Sequence, residues 1–164
     1  MKEQISALLL HELGDSLEPL KLALEGQSME VCWMRNCQEA STLLLGENPP
    51  HLVFTEIDLP DGTWADIVNL AVKAQKHVNV IVVARLADVK FYLKAIVSGA
   101  YDFIVPPLTG YELTHVVRCA AENVSSRREA QASAAWQDPR GPLVPLRRRR
   151  VLDSRTAPSI PTCA

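Results

Sequence analysis

Residues 51–55, His-Leu-Val-Phe-Thr, and residues 78–83, Val-Asn-Val-Ile-Val-Val, decide the fold of this chain. Both are nearly continuous apolar runs rich in β-branched side chains, which is how strands buried on both faces read. Such strands belong to a parallel sheet covered by helices. Outward from these two, Ile5–Leu10 and Tyr101–Val105 read the same way, and Glu30–Met34 is a weaker fifth run.

Helical stretches fill the gaps. Asp15–Leu24 has Asp15 or Ser16 as its N-cap, places Leu17, Leu20 and Leu24 on one face and stops at Gly26. Asn36–Leu45 stops at Gly46, a position suited to a C-terminal glycine. Trp64–Gln75 carries Ile67, Leu70, Ala71 and Ala74 at helical spacing, and Asp88–Val97 ends at Ser98-Gly99. Thr109–Val124 opens with Thr109 and Glu112, a capping-box pattern. The order is β-α five times over, which implies an α/β doubly wound sheet of five parallel strands in three layers, α/β/α. In such sheets the chemistry sits in the crevice at the carboxyl ends of the strands.

Composition sets the limits. A chain of 164 residues, 48% hydrophobic, fits one ordinary domain, or one domain of about 120 residues plus a tail. The net charge of −2 averages two unlike parts. Residues 1–124 hold nine Lys and Arg against 16 Asp and Glu, and residues 125–164 hold eight Arg against three acids. The expected division is therefore a domain over 1–124 and an Arg- and Pro-rich, disordered tail over 125–164. The cysteines at 32, 37, 119 and 163 form neither a C-x-x-C pair nor a zinc pattern, and a disulfide scaffold is not needed by a chain this apolar. No apolar run reaches the roughly 18 residues that cross a bilayer, and the first residues do not read as a secretory signal. A cytoplasmic protein of a reducing compartment is expected, with no membrane partner.

The residues just after each strand define the candidate site. They are His11 and Glu12 after the first, Glu56 to Gly62 after the third, Ala84 and Arg85 after the fourth, and Pro106 and Pro107 after the fifth. Glu12, Glu56 and Asp58 together could make an acidic pocket for a hard cation such as Mg²⁺. Pro60-Asp61-Gly62 reads as a turn without further function.

Two stretches carry a resemblance. Pro50-His-Leu-Val-Phe-Thr-Glu-Ile-Asp-Leu-Pro60-Asp-Gly is similar to the third strand and following loop of the receiver domain of bacterial two-component response regulators. Val97-Ser-Gly-Ala-Tyr-Asp-Phe-Ile-Val-Pro-Pro107-Leu resembles the end of that family's fourth helix, its fifth strand and its cis-proline segment. The resemblance covers residues 4–124 and implies a flavodoxin-like fold and a role in phosphorelay signalling.

Carried over position by position, it implies a degenerate phosphorylation site. The phosphoacceptor aspartate falls on Glu56, and the acidic pair that binds Mg²⁺ falls on His11 and Glu12. The hydroxyl residue after the fourth strand falls on Ala84, and the lysine after the fifth falls on Pro106, which has neither a cation nor a backbone N–H. The switch aromatic is kept as Phe103, and Pro107 matches the proline after a cis peptide bond. Phosphoryl transfer needs a positioned Mg²⁺ and a cation facing the developing charge. Either Glu56 imitates a permanently phosphorylated acceptor, or the site has drifted and Glu56 is a solvated acid; the absent hydroxyl and lysine favour drift. Asp58 as a displaced acceptor is a weaker reading, and His11 is read first as a polar strand-end residue.

Cys32 and Cys119 are read as small core hydrophobes, and Trp33 and Trp64 as packing or partly exposed surface residues rather than a binding cage. The resemblance also implies that the face of the fourth helix, fifth strand and fifth helix docks partners or a second copy. Here it would hold Phe91, Tyr92, Lys94, Phe103, Tyr111 and His115. Arg147–Arg150 reads as a solvated run rather than a nucleic-acid contact.

The expectation is a non-enzymatic receiver acting by protein–protein interaction with a histidine kinase or an output protein, and by forming a homodimer. It needs no cofactor beyond Mg²⁺, which Glu12 and Glu56 could hold only weakly. The alternatives are a phosphorylatable, Mg²⁺-dependent receiver and a nucleic-acid-associated regulator acting through the tail. A nucleotide- or flavin-binding protein is disfavoured, because no G-x-G-x-x-G follows the first strand.

Overall fold

The computed structural model describes residues 4–11 and 17–136. Along the chain run β1 (Ser6–Leu10), α1 (Glu18–Glu25), β2 (Glu30–Met34), α2 (Cys37–Leu44), β3 (Leu52–Glu56), β4 (Asp58–Leu59), β5 (Gly62–Thr63), α3 (Trp64–Lys73), β6 (Asn79–Val83), α4 (Val89–Val97), β7 (Asp102–Ile104) and α5 (Gly110–Trp136). Five strands form one parallel sheet in the order β2-β1-β3-β6-β7. This is the flavodoxin-like order, in which the chain reverses direction beside the first strand. The expected fold class is the one found. The short β4–β5 hairpin, which periodicity does not reveal, is antiparallel.

Alternation along the strands feeds two cores. Ala7, Leu9, Phe54, Ile81 and Ile104 meet Leu17, Leu20 and Leu24 of the α1 region and Leu113 and Val117 of α5. Leu8, Leu10, Val53, Val80 and Val82 meet Ala40 and Leu44 of α2, Ile67, Val68 and Ala71 of α3, and Ala95 of α4. Residues of opposite parity on one strand thus anchor opposite helical layers. Every residue of β6 is buried, as its unbroken apolar sequence requires.

Capping follows the sequence in three helices. Asn36 Oδ1 accepts from the Glu39 N–H at 2.8 Å, and Asp88 Oδ1 from the Lys90 N–H at 2.9 Å. At α5, the Thr109 N–H donates to Glu112 at 2.8 Å and the Glu112 N–H to Thr109 Oγ1 at 3.2 Å. Asp15 and Ser16, expected to cap α1, lie outside the described residues.

Two expectations need correction. Cys32 is exposed and Cys119 only partly covered, because β2 is an edge strand and Cys119 lies toward the outer side of α5. The final helix does not stop at 124: residues 125–136 are helical, and the compact unit containing the sheet extends to Glu129. A buried Arg128 explains the added turns. It continues the stripe Leu113, Val117, Ala120, Ala121 and Val124, and its guanidinium donates to the carbonyls of His77 (2.8 Å), Pro49 (2.9 Å) and Pro50 (2.8 Å). Arg147–Arg150 lie outside the described residues.

Candidate functional site

The carboxyl ends of β3, β6 and β7 converge on a cleft of about 650 Å³. Glu56, half-buried, is the last residue of β3 and sits opposite Val83 of β6. Asp58, exposed, opens the β4–β5 hairpin. Ala84 follows β6 at 1% exposure, and its N–H donates to the Ile104 carbonyl at 2.9 Å. Pro106 follows β7 and is joined to Pro107 by a cis peptide bond. Glu56, Asp58, Ala84, Phe103 and Pro106 all line the cleft, so the topology brings together the positions singled out in sequence.

His11 is not among the described lining residues. Its ring stands edge-on to Trp33 of β2, centroids 4.7 Å apart, and Lys21 Nζ lies 5.8 Å from the Trp33 centroid. Glu12 lies outside the described residues. Among the described residues no three His, Cys, Asp or Glu side chains come together to hold a metal ion. The described residues therefore do not by themselves compose a Mg²⁺ site.

What these walls can do follows from their donors and acceptors. Ala84 offers a methyl group and an N–H already engaged by the sheet; Pro106 offers no N–H. Arg85 is the only cationic side chain among the described lining residues, and it shares the cleft with three carboxylates, Glu56, Asp58 and Asp88. Asp88 is occupied with the N-terminus of α4. Among the described lining side chains, carboxylates and apolar groups outnumber donors.

Behind it runs an aromatic chain. Trp64 meets Phe91 at 5.5 Å, Phe91 meets Phe103 at 5.6 Å, and Tyr92 meets Phe103 edge-on at 6.0 Å. Trp64 is buried, Phe91 and Phe103 half-buried, and Tyr92 exposed. Of the six expected docking residues, Phe91 and Phe103 are thus packing residues for the cleft wall. Tyr92, Lys94, Tyr111 and His115 face outward, with the Tyr111 ring stacked on His115 at 6.5 Å.

Two features escaped the sequence reading. Asp61 does more than turn the chain. Its carboxylate accepts from the Cys37 N–H at 2.7 Å and the Gln38 N–H at 2.9 Å, joining the β4–β5 turn to the first turn of α2. The Cys37 backbone bond holds the Asp61 carboxyl below its ordinary range. Burial and that neighbouring charge push the Cys37 thiol up to about 11, so it stays protonated and unreactive at neutral pH. A Cβ on Gly62 would lie 2.9 Å from Cys37 Sγ and 2.7 Å from Asp66 Oδ2, so only glycine fits this junction without displacement. The second feature is an apolar outer surface on α4 and the loop before it: Leu86 in the loop and Val89, Leu93 and Val97 on the helix are 81, 73, 55 and 85% exposed. The sequence signal was an α4 apolar on nearly every side, more than one buried face can use.

The comparisons agree with this geometry. The family described as response regulator receiver domain matches residues 12–118. The response regulator protein PilR of Pseudomonas aeruginosa is 28% identical over 114 residues; these are 70% of this chain and 25% of PilR, so the chain spans about a quarter of that relative's length. Among solved structures, the non-phosphorylated HemR receiver domain from Leptospira biflexa is 28% identical with a TM-score of 0.58, covering 75% of this chain and 95% of that one. The signal receiver domain of an HD domain-containing protein from Pseudomonas fluorescens gives a TM-score of 0.68 at 23% identity, covering 79% and 95%, a likeness of fold. With the sheet order, the strand-end cleft and the matched residues all in agreement, this chain belongs to the response regulator receiver domain family of two-component signalling.

Proposed function

We propose that this receiver domain works without phosphorylation at the acceptor position, and that it transmits a signal by protein–protein contact rather than by catalysis. The observation that carries this is the pair Ala84 and Pro106 at the ends of β6 and β7. An acyl phosphate on Glu56 or Asp58 would add negative charge beside carboxylates, with neither a hydroxyl nor a lysine at those two ends to receive it. The apolar outer surface of α4, together with exposed Tyr92 and Tyr111, supports docking of a partner on that side. A histidine kinase, an output protein or a second copy of the chain is the kind of partner proposed, in the cytoplasm.

The test is incubation with acetyl phosphate and Mg²⁺ followed by intact mass measurement, and the expected result is an unchanged mass. A stoichiometric gain of one phosphoryl group would establish the phosphorylatable reading instead.

A further inference from the structure

We propose that the strand-end cleft is a binding site for a small organic cation, a primary amine carried on an aromatic or aliphatic body. The inference rests on the reading that the cleft is not used for phosphorylation, and it adds the class of ligand that would take that role.

The cavity is large enough. Ligand sites for small molecules occupy roughly 300–1,000 Å³, and this cleft has about 650 Å³. A second cavity of about 400 Å³, lined by apolar residues including Leu20, Ile104, Leu108 and Leu113, adjoins it, and Leu17, Val83 and Pro106 line both. The walls select the chemistry. Phe91 and Phe103 are half-buried and offer ring surface to an apolar body. Glu56 and Asp58 sit at the same cleft and accept hydrogen bonds, as an ammonium group requires. An anion finds less at the two strand ends: Ala84's N–H belongs to the sheet, Pro106 has none, and among the described lining side chains Arg85 is outnumbered by carboxylates. Proline and alanine thus leave apolar wall at two places where a lysine and a hydroxyl would have favoured a phosphoryl group.

The test uses tryptamine as probe, tryptophol as its neutral counterpart and indole-3-propionate as its anionic one. Each is titrated into the full ¹⁵N-labelled chain and followed by amide shifts. Tryptamine is expected to give saturable shifts at Val83, Ala84, Phe91 and Phe103. Tryptophol should bind about tenfold more weakly, the scale of one charge-assisted hydrogen bond, and the anion more weakly still. Glu56→Gln should bring tryptamine close to tryptophol. Pro106→Lys, which places a cation at the cleft, should abolish tryptamine binding; its amide spectrum reports whether the fold is kept. If either variant fails to fold, the order of the three probes on the unaltered chain decides. Equal binding of amine and alcohol, shifts scattered away from the cleft, or no saturable shift up to about 1 mM would overturn the inference, since the last leaves an affinity too weak for a built site. Acetyl phosphate treatment of the same sample separates the failures. No amine binding on an unmodified chain sinks this inference alone, whereas a phosphoryl adduct sinks the reading beneath it.

Discussion

The two ends of the sheet are built on opposite plans. At the amino end, polar groups are buried and bound to the chain itself. The Ser6 N–H donates to His51 Nδ1 at 3.2 Å, Asn79 Nδ2 donates to the Ala120 carbonyl and to Asn123 Oδ1 at 3.0 Å each, and Arg128 closes three backbone carbonyls. His77 Nε2 lies 2.9 Å from Asn79 Oδ1, linking the last two clusters. At the carboxyl end, Ala84 and Pro106 replace polar side chains with apolar wall, and the space stays open. The contrast teaches that the buried polar groups of the amino end hold the fold through the backbone, while the carboxyl end keeps a cavity whose polar walls the core does not depend on. Substitutions at the first end should cost stability; those at the second should cost binding.

The largest effect is expected from Arg128→Ala, which leaves buried carbonyls without donors and should cost about 3 kcal/mol, read from the urea midpoint. A loss under about 0.5 kcal/mol, the ordinary range of a surface change, would break the comparison at its strongest point. Asn79→Ala comes next, at about 2 kcal/mol, because the Ala120 carbonyl and Asn123 each lose a donor in a buried setting.

The pH dependence sharpens the same contrast. Burial lowers the His77 pKa below its ordinary value of 6.5, with Arg127 and Arg128 adding to the shift and the Asn79 bond opposing it. The unfolded chain therefore takes up the proton first. Stability should be full above about pH 6.5 and fall as pH drops from there through the lower folded value. Urea midpoints at about pH 7.5 and 5.5 measure this window, and His77→Gln should flatten the difference. Asp61 and Glu112, both depressed by backbone bonds, act in the same direction at lower pH.

The smallest stability effect is expected at the carboxyl-end face. Tyr92→Ala and Tyr111→Ala should each change stability by less than about 0.5 kcal/mol while weakening self-association or partner capture. Unchanged sedimentation and unchanged capture of an output protein in both would remove these residues from the interface.

How much of this was legible depended on whether the signal was local. The five strands announced themselves, and β6 did so most clearly because full burial leaves a run without polar interruption. Thr109 and Glu112 predicted their own bonds. Arg128 was not legible: a charged residue in a polar stretch reads as surface, and only three carbonyls from distant loops make it a core residue. Cys32 misled for the converse reason, since a small apolar residue on a strand says nothing about whether that strand is an edge. At the site, alignment of motifs located Glu56, Ala84 and Pro106 without showing that they border an open cavity, because volume is a property of several elements together.

The bond from Asp61 to α2 has a further consequence. The Cys37 and Gln38 amides are at a helix start, where N–H groups have no intrahelical acceptor and ordinarily face water. Here their exchange with solvent requires the β4–β5 turn to let go. Their exchange is thus gated by the opening of a loop more than 20 residues away in sequence, and two amides of a helix outside the described cleft lining report on the hairpin at its mouth.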